Sequence, residues 1–356
     1  MKKTLFALLA IWATFSLSAQ RLNKAELKSL QQFLSQPAAE ASTNAEALKI
    51  TNLNDPSTWK GIKTDNGRIT EIDWSGHKLA GSLNLSGFTS LQKLNIAHNK
   101  ISTLALSGNP MLTEVNASKN NISHLSINDC PGLQSLLLNR NQLSTLNIAD
   151  IPKLSRLNVA GNALFTLDLT NAVNLRTLNC ANNRLENLEI SGCTNLRNLY
   201  AGYNQLSFIS FVGLEKLENI NIDSNKISKL YVQGLSNLQT LFCSDNHMTK
   251  LVVNNCDNLS DLDASYNDLT ALNLNGTGKL AFIELEWNDL TYLDLSNQPF
   301  LQRLDVSNNQ LITLDLTNDT VLSYINLSDN YSLNDLRTDG CYSIRQIVGT
   351  WHDYNF

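Results

Sequence analysis

The chain is poor in the residues that break or stiffen a backbone. Its 356 residues include only 6 Pro and 16 Gly. That excludes collagen-like chains and disordered chains rich in those two residues. Charged residues make up 17% and aromatic residues 7%. Basic charge is in the minority, with 27 Lys and Arg against 32 Asp and Glu, for a net charge of -5. A nucleic-acid binder carries a basic excess, so no nucleic-acid partner is expected. No apolar run after residue 19 is long enough to cross a bilayer as a helix, so no transmembrane segment is expected in the mature chain. There are six Cys but no C-x-x-C, the usual frame of a structural zinc site. H-E-x-x-H and G-x-S-x-G are also absent, and the five His are scattered. Gly276-Thr277-Gly278-Lys279 imitates a phosphate loop, but Leu280 stands where Ser or Thr is needed. No catalytic residue, metal ligand or cofactor is therefore expected.

What the chain does have is 63 Leu and 47 Asn, nearly one residue in three. They recur with a period of 21. Asn occupies positions Asn99, Asn120, Asn141, Asn162, Asn183, Asn204, Asn225, Asn246, Asn267, Asn288, Asn309 and Asn330 without a gap. Leu91, Leu112, Leu133 and their successors to Leu322 form an unbroken Leu column. The column from Leu94 to Ile325 holds only Leu, Val or Ile. Leu94 and Ile96 alternate with polar residues, which is a strand signal. One strand per period, stacked in register with right-handed crossovers, gives a parallel sheet along one side. A second apolar pair, such as Leu104 and Leu106, marks a second extended stretch, and the period leaves no room for a helix in each coil. About 13 coils stacked roughly 4.8 Å apart span about 60 Å. The inward Asn of each coil can donate and accept to turn backbone groups that lack sheet partners. The Asn column is thus expected to be structural, and an outward Asn such as Asn221 is expected to matter little.

The segment from Leu91 to Leu106 carries L-x-x-L-x-L-x-x-N-x-L, and through it residues 69 to about 347 resemble the leucine-rich repeat superfamily. The short period and the second apolar pair resemble its secreted bacterial, internalin-like members. The resemblance implies a right-handed solenoid with its parallel β-sheet on the concave face, and a binding role.

Four segments are expected. Residues 1–19 read as a signal peptide: Lys2 and Lys3, an apolar core from Leu5 to Phe15, and the small residue Ala19 before Gln20. No Cys follows for a lipid anchor, and the mature chain has a net charge of -7. Its destination is export: medium, periplasm or cell surface. Residues 20–68 read as an N-terminal cap. Asn23 and Glu26 open it in the manner of a capping box, and Leu27, Leu30, Phe33 and Leu34 share one helical face before Pro37. The only long helix is expected near residues 25–35. Asp65-Asn66-Gly67 signals a hairpin. Asp55 to Ile62 is similar to the N-terminal caps of other secreted leucine-rich repeat proteins. Residues 69–343 form the solenoid. Residues 344–356 are expected to close it with Ile344, Ile347, Trp351, Tyr354 and Phe356.

Five of the cysteines fall in two columns, Cys180 with Cys243, and Cys130 with Cys193 and Cys256. Neighbours within a column are three coils apart, about 14 Å and too far to bridge. Cys180–Cys193 and Cys243–Cys256 remain candidate pairs within single coils; buried free thiols are the other reading.

The outward strand positions carry the functional expectation. Tyr200, Tyr203, Phe242, Tyr266, Phe282 and Trp287 lie there, with Asp261, Asp263, Glu284, Glu286 and Asp305. Residues 91–216 hold 10 basic and 7 acidic groups, whereas residues 217–330 hold 5 and 15. Asp263, Glu284 and Asp305 stack on adjacent coils, which is unfavourable without compensation. These residues are expected to bind a ligand: a protein or basic peptide first, a glycan second. A merely solvated acidic face is the plain alternative, and Ca²⁺ among the carboxylates is a further one. The protein reads as a non-catalytic recognition solenoid. A structural spacer without a ligand and a carbohydrate-active enzyme are the competing classes.

Overall fold

The computed structural model describes residues 22–349 apart from residue 318. The leader and the three closing aromatics Trp351, Tyr354 and Phe356 lie outside the described residues. Two short helices open the described chain, α1 (Lys24–Leu34) and α2 (Asn44–Ala47). Almost everything after them is strand or turn. A 15-stranded sheet runs the length of the molecule. It begins with an antiparallel hairpin, β1 (Ile62–Asp65) and β2 (Arg68–Asp73). Asn66 and Gly67 form the turn, both at positive φ, 48° and 71°. A tight primed turn requires that backbone. Every later strand is parallel to its neighbour, one per coil, over about 13 coils in all.

The period-two pattern explains the sheet. Leu94 pairs in register with Val115, then Leu136, Leu157, Leu178 and Leu199, each 2% exposed or less. One continuous apolar core runs under them from the cap to the last coils. The second apolar pair forms a back wall that is strand only in patches: residues 80–126, 229–273 and 313–337. Between these patches the coils are extended without sheet pairing.

The Asn column knits the turns together. At Asn204, Oδ1 accepts from the Leu185 N–H (3.1 Å), and Nδ2 donates to the carbonyls of Cys180 and Ala201 (both 3.0 Å). The same links recur from Asn120 to Asn330. At Asn99, Oδ1 serves His77 and Leu79 together. Ten of the twelve are buried, and Asn162 and Asn183 are half-buried. Truncating Asn204 to Ala orphans the buried Leu185 N–H and takes one of two donors from the Cys180 and Ala201 carbonyls, which keep Asn183 and Asn225, an expected loss of about 1–3 kcal/mol. Asn187 is exposed, and its change to Ala should cost little, as surface substitutions do. Equal midpoints for the two variants in urea denaturation would show that the ladder carries no stability.

A second Asn ladder runs along the rim, beyond the one expected. Asn174, Asn195, Asn237 and Asn258 each donate to the carbonyl 22 residues earlier, at 2.7–2.9 Å. Their spacing of 21 or 42 is visible in the sequence, but Lys216 interrupts the column and hides its regularity.

The cysteines are all unpaired. Cys130, Cys256 and Cys341 also act as donors. Their Sγ atoms point at the carbonyls of Leu106, Val232 and Leu316, at 3.2, 3.7 and 2.8 Å. Asn109 makes the equivalent bond to Leu85 O (3.0 Å) in an earlier coil of the same column. Burial pushes the thiols up, Cys180 to about 12 and Cys193 to about 11, which keeps them protonated.

The cap departs from the expected capping box. Asn23 Oδ1 does accept from the Ala25 and Glu26 N–H groups. Glu26, however, does not reach back to Asn23. The Asn23 N–H is taken by Gly67 O at the hairpin turn (2.8 Å). Glu26, 2% exposed, instead accepts from Arg68 Nε (2.7 Å) and the Ile69 N–H (3.0 Å). Phe33 stacks on Trp74 of the first coil (6.1 Å). Gln36 and Asn44 bond the backbone of Ser82 and Ala80, covering the edge of the back wall. Gly81 has φ 88°, a left-handed backbone that favours glycine, and a Cβ there would push Gln36 Oε1 off its bond to Ser82.

Candidate functional site

Three outward columns and one turn column build the concave face. Tyr200, Asn221, Phe242, Asp263, Glu284 and Asp305 pair in sequence across adjacent strands. Asp261, Phe282 and Arg303 form the neighbouring column. Beyond each strand comes a small residue, for example Gly202, Ser244, Ser265 or Ser307. The next residue turns with positive φ: Tyr203, Tyr266 and Trp287 among others, at 57°, 52° and 56°. That backbone is shared by most coils, so its strain does not mark a site. The side chains presented there do.

The aromatic residues fall into two groups. Tyr266 (52% exposed) and Trp287 (53% exposed) stand on adjacent coils with rings stacked at 6.0 Å and 14°. Phe282 is exposed near them, and Tyr200 and Tyr203 are exposed three to four coils earlier. Phe242 is half-buried within its column.

Most of the acid stack is compensated internally. Asp263 Oδ1 accepts from Ser265 Oγ (2.6 Å) and its N–H, and Asp305 Oδ1 likewise from Ser307 (2.7 Å). Asp305 also accepts from Asn326 Nδ2 (2.9 Å) and is only 8% exposed. Glu284 lies 3.3 Å from Arg303 Nε, an ion pair off the hydrogen-bond direction, while the guanidinium sits over the Tyr324 ring (4.2 Å). Asp261 accepts from Ser260 Oγ. Asp223, raised above the usual carboxylate range chiefly by burial, accepts from Ser244 and from Asn221 Nδ2 (2.6 Å). Asn221 is thus a partner of a largely buried acid, contrary to its expected indifference.

Glu286 is the exception. It replaces the small residue of its column, so its coil lacks the Ser that caps the strand-end acid in the coils on either side. Its Oε2 is buried and accepts no hydrogen bond. Burial first, then the charges of Asp305, Asp263 and Glu284, raise it to about 7. A carboxyl raised from 4.5 to about 7 by folding favours the folded state below pH 4.5. That contribution is lost as pH climbs to about 7. Glu286→Gln should therefore melt like the parent near pH 4 and gain about 1 kcal/mol at pH 8, discounted because the side chain is only half-buried. Parallel melting profiles from pH 4 to 8 would refute this.

A recess of about 890 Å³ lies at the opposite end of this face, around Lys63, Glu71, Lys93 and Glu114. Four of its charges are already paired, Lys63 with Glu71 (2.6 Å) and Lys93 with Glu114 (3.1 Å). Glu286 Oε2, by contrast, is a buried carboxylate oxygen without a hydrogen-bond partner. Among the described residues no three His, Cys, Asp or Glu side chains converge to hold a metal ion, so the carboxylate stack offers Ca²⁺ no such cluster.

The stacked strands, the ladder and the short coils have counterparts of known structure. The functional domain of InlJ from Listeria monocytogenes matches 78% of this chain with 26% identity and a TM-score of 0.57. The chain has the leucine-rich repeat fold. It spans 57% of the InlJ domain, little more than half its length. YopM from Yersinia pestis, a leucine-rich effector protein, matches 76% of this chain, which in turn covers 74% of it, with 23% identity and a TM-score of 0.60. Neither a protein-family model nor a curated protein matches the chain. The InlJ domain is described as including a cysteine ladder. In the present repeat protein no two cysteines of a column occupy adjacent coils.

Proposed function

We propose that the protein is a non-catalytic recognition solenoid. It binds a protein partner through the concave face of residues 198–305, with a basic side chain of the partner seated at Glu286. Leucine-rich repeat solenoids typically mediate protein interactions, and an extended sheet of outward side chains suits that role. One observation carries the site: a stacked aromatic pair stands next to a half-buried acid, one of whose carboxylate oxygens is buried with no hydrogen-bond partner among the described residues. A guanidinium suits this pair of features, because it meets carboxylates through hydrogen bonds and aromatic faces through its plane. The acid excess of residues 217–330 adds steering toward basic partners. The leader-like residues 1–19 support export, and no described helix is long and apolar enough to cross a membrane.

An array of basic, neutral and acidic peptides, probed with residues 20–356, tests the reading. Basic peptides, Arg-containing ones foremost, should be retained, and Glu286→Gln should lose most of that retention. Retention that ignores peptide charge, or survives in Glu286→Gln, would leave the acids as a solvated surface.

A further inference from the structure

The back wall of the solenoid is interrupted between Asn273 and Thr313, where one coil forms no strand. A recess of about 480 Å³ opens there. A similar gap opens between Ile148 and Ala172. There the inward column offers only Ile151 and Ala172, so that recess has an apolar floor. The recess beside Thr313 has a polar floor. In the same column stand Thr277, Gln298 and Asp319, 1%, 2% and 8% exposed. Thr277 Oγ1 donates to Leu274 O (2.6 Å), and Gln298 Nε2 donates to Thr277 Oγ1 (3.1 Å). The amide nitrogen is thus turned to the preceding coil, which leaves its oxygen toward the coil of Asp319. That oxygen is buried and has no hydrogen-bond partner. No described side chain donates to the Asp319 carboxylate either. Leaving the Gln298 oxygen unpaired is costly, and the Asp319 carboxylate lining the recess offers acceptors beside it.

The rim decides what kind of donor fits. Asp294 and Asp315 line the recess, but one oxygen of each is bonded to a turn N–H, of Ser296 and Thr317. Asp315 also faces Arg337 at 3.6 Å. No metal-holding cluster occurs among the described residues, and the buried acceptors left open in the recess are the Asp319 carboxylate and the neutral Gln298 amide oxygen. Hydroxyls satisfy that pair without bringing a charge. Tyr292, 61% exposed, stands on the rim as an apolar face with a polar tip. The volume lies in the range of small-molecule sites.

We propose that this recess is a saccharide site, separate from the concave face, in which sugar hydroxyls donate to Gln298 Oε1 and the Asp319 carboxylate while the sugar lies against Tyr292. The ligand is a neutral sugar unit at the end of, or within, a glycan.

Titrating residues 20–356 with glucose, mannose, galactose, N-acetylglucosamine and their disaccharides, followed by ligand-observed NMR, tests it. At least one sugar should bind with a dissociation constant on the order of 1 mM, as for a small contact in an open recess. Tyr292→Ala and Gln298→Met should each weaken it about tenfold or more. Gln298→Met should melt no lower than the parent, because it keeps the volume and removes the orphaned oxygen. If that variant fails to fold, Tyr292→Ala decides alone, since its side chain is on the surface. Trp287→Ala, on the other face, should bind the same sugar unchanged. Binding of no sugar, binding that survives Tyr292→Ala, or binding abolished by Trp287→Ala would each overturn the proposal.

Discussion

Replacing Glu26 by Ala is expected to cost about 2–3 kcal/mol, a large loss for a polar change at the N-terminal end. Glu26 is the one charged residue of α1 that is buried. Its carboxylate ties the first turn of the helix to the hairpin through Arg68 and Ile69. Without it, the Ile69 N–H is left buried with no acceptor, and Arg68 loses its counter-charge. Arg68 is partly exposed and also bonds Thr89 Oγ1 (2.7 Å), so it can partly turn to water, which holds the cost below the full value for a buried pair. The consequence spreads because a solenoid end needs its cover. When the helix detaches, Phe33 leaves Trp74 and the core of the first coil meets solvent. Glu26→Gln keeps an acceptor for Ile69 and should lose about half as much. Glu40, paired with Lys78 at the surface, provides the contrast. An exposed ion pair contributes little, so Glu40→Ala should leave the urea midpoint almost where it was. Urea midpoints for the three variants measure this. A Glu26→Ala chain as stable as Glu40→Ala would mean that the cap is held by packing alone.

That cap also shows where sequence reading reached and where it stopped. The helix over residues 25–35 was legible from its apolar stripe and the Pro after it. The hairpin was legible from Asn66-Gly67. The role of Glu26 was not, because the spacing that makes a capping box is the same whether the carboxylate turns back or forward. Only the tertiary placement of Gly67 against the Asn23 N–H decides it. In the repeats, a column of identical residues reports a shared environment, so the sheet, the core and the Asn positions were readable without coordinates. Exceptions within a column are harder to read. Glu286 was visible as one acid among several. That Asp263, Asp305 and Asp223 are each satisfied by Ser or Asn partners, and Glu286 by none, requires the side-chain bonds. Asn221 and Gln298 fall in the same category, ordinary polar residues whose significance lies in what they do or do not touch.

Loss of the stacked pair is expected to have the largest effect on binding. Tyr266→Ala and Trp287→Ala should each weaken the partner complex by about 2 kcal/mol, roughly thirtyfold, because large aromatic anchors dominate interface energy. Their rings stack on each other at 6.0 Å, so removing one also frees the other, and the double variant should fall short of the sum of the single losses. Both side chains are about half exposed in the free protein, so neither substitution should lower the melting temperature appreciably. The acids beside them act differently. Changing the exposed Asp245 to Asn should mainly slow association and flatten its salt dependence, since an open charge steers encounter and is screened within about 10 Å at 0.1 M salt. Association and dissociation rates at two salt concentrations separate the two roles. Fast dissociation in the aromatic variants with unchanged association is the expected pattern. Unchanged affinity in both Tyr266→Ala and Trp287→Ala would remove the pair from the interface and, with it, the assignment of this face as the binding site.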